Sequence, residues 1–319
     1  TILRHTGMDV RIGSLLPEIS KASTIDLPNG DSLILEPVQR KENRLCLENF
    51  DPCAVLLNND LSSGVPEILQ NLEQTVIPPI HAGWATRRKS SFFTAYDSVA
   101  KEFSSLIGID PWLINPYFGS CGKINFSEKK GEDCVAKNVD KILLQIREKY
   151  KQYDVKEDPF VIVKADAGTY GMGVMTVKSG EEVRRLNRKQ RNKMSVVKEG
   201  QPVTKVLVQE GVYTFESINT AVAEPVIYMI DRYVVGGFYR VHTGRGKDEN
   251  LNAPGMHFVP LSFESSCLLP ANKTSRDYAT NRFYAYSVIA RLALLTAALE
   301  LEKSANSPVD SAPRTSREK

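Results

Sequence analysis

The 319 residues offer no disulfide framework and no zinc knuckle, because Cys46, Cys53, Cys121, Cys134 and Cys267 are odd in number, widely spaced and never form a C-x-x-C pair. A reducing, cytoplasmic setting is the expectation. No run of eighteen uncharged apolar residues occurs, and the opening TILRHTGMDVRIGS lacks the apolar stretch of a secretory leader. Neither a membrane span nor export is therefore expected. Charge of one sign is scarce as well: a net charge of +3 creates no global field for a nucleic acid or a membrane. There is no internal repeat and no GK[ST] of a Walker loop. What remains, 42% hydrophobic and 25% charged residues, is ordinary for a globular protein long enough for two domains.

The most informative stretch is FVIVKADAGTYGMGVMTV, residues 160 to 177. Two β-forming runs flank Gly168, Gly171 and Gly173, and Lys164 stands on the incoming run. Glycines let backbone N–H groups approach an anion, and a strand lysine adds a point charge. Val174 to Val177 prefer a strand to a helix, so the spacing predicts a strand, glycine loop, strand hairpin that cradles phosphate. An ordinary long hairpin carries three glycines equally well.

Other segments supply candidates. The strand Ala54 to Leu57 breaks into Asn58, Asn59, Asp60, Ser62, Ser63 and Gly64 before a helical start near Val65, a loop position that suits ligand contacts or a plain helix cap. Arg87, Arg88 and Lys89 precede a helix with Phe93, Tyr96, Val99, Ala100 and Phe103 on one stripe. Cations there oppose the helix dipole, so an anion would relieve them. A second helix, Asp133 to Tyr150, buries Val135, Val139, Leu143, Leu144 and Ile146. EEVRRLNRKQRNKM has the composition of an RNA-binding helix but no aromatics to stack bases, which argues for a solvated face or a role over a polyanionic nucleotide. KVLVQEGV reads as a strand ending in Gln209, Glu210, Gly211 and Val212. Two strands surround Asp231-Arg232, a third element ends at Arg240, and a polar loop covers Asp248 to Asn252. Oxygen side chains following arginines suit a magnesium-phosphate site. His242 and His257 are read as hydrogen-bonded structural residues. The last helix places Tyr284, Val288, Leu292, Leu295 and Leu299 on a core stripe, with Arg291 interrupting an apolar run too short to span a bilayer. The tail from residue 304 is polar and expected to be disordered.

The strings LLNNDLSSGVPEIL, IPPIHAGWATRRKSSFF, IDPWLINPYF, VIVKADAGTYGMGVMTVK, LNRKQRNKM, VQEGVYTFE, AEPVIYMIDRYVVGGFYRVHTGRG and DENLNAPGMHFVPL together resemble the proteobacterial type of glutamate-cysteine ligase related to the ATP-grasp enzymes. The resemblance covers most of the chain. It implies an α/β fold with an N-terminal α/β substrate region (1–85), an ATP-grasp-like catalytic region of two α+β lobes (86–303) and the tail (304–319). It implies that ATP, L-glutamate and L-cysteine are substrates and that Mg2+ is the cofactor. Lys164, Gly168, Gly171 and Gly173 resemble the ATP-grasp lysine and glycine lid, Lys89 the earlier phosphate lysine, and Gln209, Glu210 and Val212 the adenine-side strand. DENLNAP resembles the E-x-N-x-x-x-P metal signature with Asp248 for glutamate and Asn250 for asparagine, leaving Glu249 and Asn252 as rival ligands. Lys164, Arg232 and Arg240 are the catalytic candidates. Asn58, Asn59, Asp60 and Arg87 are the amino-acid-binding candidates.

Two other readings stay open at this point. One is an ATP-grasp ligase with another acceptor, of the glutathione synthetase kind. The other is a non-catalytic nucleotide or RNA binder acting through Arg184 to Lys198. Oligomeric state is not set by the sequence.

Overall fold

The computed structural model describes residues 7–27, 30–58, 61, 65–82, 87–168, 173–196, 202–261 and 282–305. Gly171, Asn59, Asp60, Cys267 and the chain beyond Ala305 lie outside them, while Ser304 and Ala305, expected to open a disordered tail, continue the last helix. The chain divides into two compact units, Thr1–Ala85 and Thr86–Lys319.

The first unit is built from short strands: β1 (Ile12–Ser14), β2 (Ser23–Asp26), β3 (Ser32–Pro37), β4 (Gln39–Lys41), β5 (Arg44–Cys46), β6 (Ala54–Leu56) and β7 (Thr75–Ile77). They form a β1-β3-β2 sheet, a β4-β5 hairpin and a parallel β6-β7 pair. Gly30, with φ of 85°, sits in the turn between β2 and β3, where that left-handed backbone suits glycine. Leu45, Leu61 and Leu69 make the core. Buried Gln74 completes it by bonding the Leu45 amide and the Leu45 and Pro52 carbonyls. The helical start expected near Val65 is a single 3-10 turn, Glu67–Leu69. Its carbonyls are taken from outside, because the Arg40 guanidinium donates to Glu67, Ile68 and Gln70. A helix that continued would need those oxygens for its own amides.

The second unit holds α1 (Lys89–Ile107), β8 (Phe118–Gly122), α2 (Glu132–Gln152), β9 (Val161–Ala165), β10 (Val174–Val177), α3 (Gly180–Arg184), α4 (Arg188–Ser195), β11 (Lys205–Glu210), β12 (Ser217–Ile218), β13 (Ala221–Ile230), β14 (Tyr233–His242), β15 (His257–Pro260) and α5 (Arg282–Ala305). Two antiparallel sheets result, one in the order β10-β9-β11-β8 and one in the order β12-β13-β14-β15. The glycine hairpin is confirmed, with Val174 opposite Lys164.

One face of the first sheet is covered by α2. Val135, Val139, Ile142, Leu143 and Ile146 meet Val161, Val163, Ala165, Val206 and Val208 in the main core. Leu144, expected in that stripe, is 58% exposed. It follows Leu143 by one residue, about 100° around the helix, and Ile142 takes the buried place instead. Acidic Glu132 and Asp133 open α2 and Lys149 and Lys151 close it, each complementing the dipole. The charged stretch after β10 folds as two short helices, α4 being started by a capping box between Asn187 and Gln190. Arg240, expected to end a separate element, lies inside β14.

α1 and α5 pack on each other through Tyr96, Val99, Ala100 and Leu292. α5 is longer and less enclosed than its core stripe implies. Leu295 is 52% exposed, and Arg282–Lys303 is long and apolar enough to cross a bilayer by length and composition alone. Arg291 interrupts that run, and only eight uncharged residues, Leu292 to Leu299, follow before Glu300. The same helix anchors by charge to α1, through Glu300 and Arg87 at 2.6 Å.

Gly211 closes β11 against the core. A Cβ there would lie 2.0 Å from the Phe160 ring, which is buried. Gly211→Ala should cost about 1–3 kcal/mol in urea unfolding, since neither backbone nor ring has room to give.

Candidate functional site

Antiparallel partners face the same side of a sheet, so the register sorts the residues. Lys164 is opposite Leu207, Ile162 opposite Gln209, and Gln209 in turn opposite Phe118. Ile162, Lys164, Leu207, Gln209 and Phe118 therefore share the face turned away from α2. Phe118 packs on Phe93 of α1 with ring centroids 5.6 Å apart, and the Lys164 ammonium sits 5.1 Å from the Phe93 ring centroid. Among the described residues no carboxylate lies within ion-pair distance of Lys164. Burial first, and then the neighbouring Lys89 charge, push Lys164 down to about 8.

Lys89 reaches this place through Asp166, a residue the sequence reading passed over. The Asp166 carboxylate is 2% exposed. It accepts from the Ser90 amide at 2.7 Å and the Ser90 hydroxyl at 2.9 Å, and lies 3.3 Å from the Lys205 ammonium. The Ser90 hydroxyl also takes a bond from Lys205 Nζ at 2.9 Å. The backbone of Asp166 bonds the Lys89 amide and the Lys205 carbonyl. One residue thus fastens the end of β9 to the start of α1 and the start of β11. It also caps α1, whose own N-cap residue, Arg88, makes no side-chain cap. Lys89 Nζ then donates to the Gly168 carbonyl at 2.9 Å. Burial lowers Lys89, Asp166 opposes that shift, and Arg88 adds to it. Lys89, Lys164 and Gly168 are brought together, and Gly173 closes the hairpin by accepting from the Ala165 amide.

On β11 the two polar residues divide. Glu210 is buried and fully used, accepting from the Trp112 indole at 2.9 Å and the Tyr117 amide at 2.9 Å. Burial pushes its carboxyl up, and these two donors pull it part of the way back. Gln209, on the Lys164 face, has its Oε1 buried with no hydrogen-bond partner among the described residues. Val212, just past the strand, is 65% exposed.

The second sheet carries the arginines apart from one another. Arg240 pairs with Glu224 across β13 and β14, and its Nε is buried without a partner among the described residues. Arg232 is in the turn before β14, beside the Tyr233 ring. Eight residues of strand separate them, about 26 Å. The loop after β14 is pinned by His242, whose Nδ1 accepts from the Gly244 amide while Nε2 meets the Pro254 carbonyl at 3.0 Å. Both ring nitrogens are occupied, as the structural reading of this histidine expects. His257 lies in β15. A cleft of about 760 Å3 has Glu249, Asn250 and Asn252 on one wall and Arg185, Gln190 and Lys193 on another, with β10 along its floor. Asp248 pairs with Lys178 at 3.2 Å, and Glu249 with Arg245 at 2.7 Å. The Gly246 amide and Arg245 hold the Glu249 carboxyl below its usual range. Among the described residues no three His, Cys, Asp or Glu side chains converge as a ready metal cage. In the first unit Asn58 is exposed. Arg87 is held by Glu300.

The mixed helix-and-strand architecture, with Lys164 on one antiparallel sheet and the Lys89 charge beside it, is that of an ATP-dependent ligase. The family model for glutamate-cysteine ligase matches residues 1–301, and the chain belongs to that family. A crystal structure of a protein from Methylobacillus flagellatus KT, provisionally designated a gamma-glutamylcysteine synthetase, is 65% identical. It matches with a TM-score of 0.85 over 95% of this chain and 72% of that one. D-alanyl-alanine synthetase A from Vibrio cholerae O1 biovar eltor str. N16961 matches at 13% identity and a TM-score of 0.37, over 87% of this chain and 72% of that one. No curated protein sequence matches.

If Asp166 positions the lysines, Asp166→Asn should raise the KM for ATP about tenfold. A KM that stays in place would leave Asp166 with a purely structural role.

Proposed function

We propose that the chain joins the γ-carboxylate of L-glutamate to the amine of L-cysteine at the expense of ATP, the first step of glutathione synthesis. The observation that carries this reading is the pair Lys164 and Lys89, two ammonium groups with no acid beside Lys164 among the described residues, Lys89 reaching the Gly168 carbonyl. Such an arrangement is short of an anion and suits a polyphosphate.

A carboxylate is a poor electrophile. Its oxygen attacks the γ-phosphorus, the bond to ADP breaks, and γ-glutamyl phosphate forms. The cysteine amine then attacks the acyl carbon and phosphate leaves. Lys164 and Lys89 hold the transferring phosphoryl group as its charge moves, and Gly168, Gly171 and Gly173 are offered as backbone donors to it. Gln209 Oε1 suits the adenine amino group, and Val212 suits the face of the base. Glu210 acts indirectly, keeping β11 in place through Trp112 and Tyr117. Arg240 is the candidate for acyl-phosphate oxygens, since its buried Nε is an unspent donor, and Arg232 is the weaker second. Asn58, Asn59, Asp60 and Arg87 are offered as amino-acid contacts.

The loop offers Asp248, Glu249, Asn250 and Asn252 as hard oxygen donors, the set that Mg2+ prefers, and three of them line the cleft beside β10. Asp248 and Glu249 are each balanced by one exposed cation that can swing away. When bound, the metal supplies neutralisation of phosphate charge.

Release of ADP from Mg-ATP should require both glutamate and cysteine, and the product should be the γ-linked dipeptide. Turnover with a dipeptide and glycine instead would move the chain to the glutathione synthetase kind, and salt-dependent polynucleotide binding that persists at moderate salt, without turnover, would favour the binding module.

Lys164 also sets a pH signature. Its folded value of about 8 lies below the ordinary 10.5, so the unfolded state holds more protons between those pH values and stability should rise through that window. Below pH 8 the full penalty applies, on the order of 3 kcal/mol. Lys164→Met should therefore stabilise the nucleotide-free protein at pH 7 in a urea titration while lowering kcat at least 100-fold. A variant that is both active and no more stable would contradict the assigned role. In the parent enzyme kcat/KM for ATP should fall with an apparent pKa near 8.

A further inference from the structure

The ligase chemistry uses none of the five cysteines, and among the described residues Cys121 and Cys134 meet. Cys121 is in β8 and 2% exposed, whereas Cys134 is exposed in the first turn of α2. Their sulfurs are 2.6 Å apart, about 0.6 Å beyond a covalent S–S bond. Neither Cys46 nor Cys53 has a second sulfur in reach among the described residues. The contact is built rather than incidental. Asn138, one helical turn after Cys134, donates from Nδ2 to the Cys121 sulfur at 2.9 Å. A Cβ at Gly119 would come within 3.0 Å of the Asn138 Oδ1, so glycine at that position leaves Asn138 its place.

We propose that Cys121 and Cys134 form a dithiol site that takes low-molecular-weight disulfides and closes reversibly to an intramolecular disulfide. Exposure divides the roles. The Cys134 thiolate attacks one sulfur of a disulfide RSSR, its bond to Cys134 forms, and the first RS− leaves and takes up the Cys134 proton from solvent. Cys121 then loses its proton and attacks the Cys134 sulfur, expelling the second RS−, which is protonated to RSH. Two protein thiols are oxidised and one disulfide is reduced to two thiols. Burial and the bond from Cys134 push Cys121 up to about 12, which keeps it protonated while the pair is reduced. The Asn138 amide is placed to receive negative charge as it develops on that sulfur.

The closed link ties β8 to α2 on the core side of the sheet. Cys121 is opposite Val206, whose side chain belongs to the core, while Lys164, Leu207 and Gln209 face the other way. Oxidation therefore fastens the lobe from behind and leaves the nucleotide face free. This inference does not depend on the ligase reading, since its test needs no turnover.

The full-length protein, incubated with glutathione disulfide, unfolded in acid with a thiol-blocking reagent and digested with trypsin, tests it by mass. Lys123, Lys129 and Lys130 separate the two cysteines, so closure appears as one cross-linked pair of peptides that dithiothreitol splits. The melting temperature of the oxidised form should rise by about 5 °C. Cys121→Ala should trap one glutathionyl group on Cys134, and Cys134→Ser should abolish cross-linking. A parent protein that stays reduced, or that stops at glutathionylated Cys134, overturns the proposal without recourse to any variant. So does an unmodified Cys134 in a folded Cys121→Ala protein.

Discussion

The candidate site depends on holding two ammonium groups together in a half-buried place with, among the described residues, no carboxylate next to Lys164. Burial of cations is costly, and a nearby like charge adds to the cost. Something must force Lys89 into that position, and Asp166 does so with both its backbone and its side chain. The acid balances Lys205 and caps α1 at one remove from Lys164, so it stabilises the assembly without neutralising Lys164, the group proposed to meet the anion. A carboxylate beside Lys164 itself would make a more stable lobe and a poorer phosphate site.

The rest of the lobe supports this arrangement through the two-residue period of its strands. Val161, Val163 and Ala165 point at α2, and Ile162 and Lys164 point away, so one short strand serves as core and as site. β11 repeats the division with Val206 and Val208 against Gln209. Glu210 belongs to the supporting side, and its bonds to Trp112 and Tyr117 tie the strand to the segment between α1 and β8. The fold's ligand face and its core thus share the same backbone, and a shift in register would damage both.

Local pattern made much of this legible. The alternation in VIVKA, the glycines after it and the apolar stripe of α2 are all short-range signals, and the hairpin and helix follow from them. The faces of Leu144 and Leu295 were misread because a broad apolar stripe does not say where its edge lies; only the packing partner decides that. Asp166 was not legible, since its partner Ser90 is 76 residues away and its other clamp, Lys205, lies on a third element. The Trp112 and Glu210 pair, 98 residues apart, was hidden for the same reason. Arg232 and Arg240 looked like one cluster in the sequence, but an extended strand puts them at its opposite ends. The resemblance to a family named the chemistry, whereas only the three-dimensional arrangement showed which residues hold the lysines.

The polar atoms left without partners carry a further step. Leaving a buried donor or acceptor unpaired costs about 1–3 kcal/mol, so each needs a reason. Ser104, Asn115 and Glu132 also have such atoms among the described residues, which means that lack of a partner alone does not mark a ligand. Direction separates the cases. Gln209 Oε1 is on the face shared with Lys164, and Arg240 Nε is on a strand whose other guanidinium bond is already spent on Glu224. An acceptor on one lobe and a donor on the other are complementary to a molecule with an amino group at one end and anionic oxygens at the other. ATP has that polarity, and on the proposed reading Lys164 and Lys89 take the charge it brings. The unfilled hydrogen bonds and the unneutralised cations would then be one deficit that a bound nucleotide relieves.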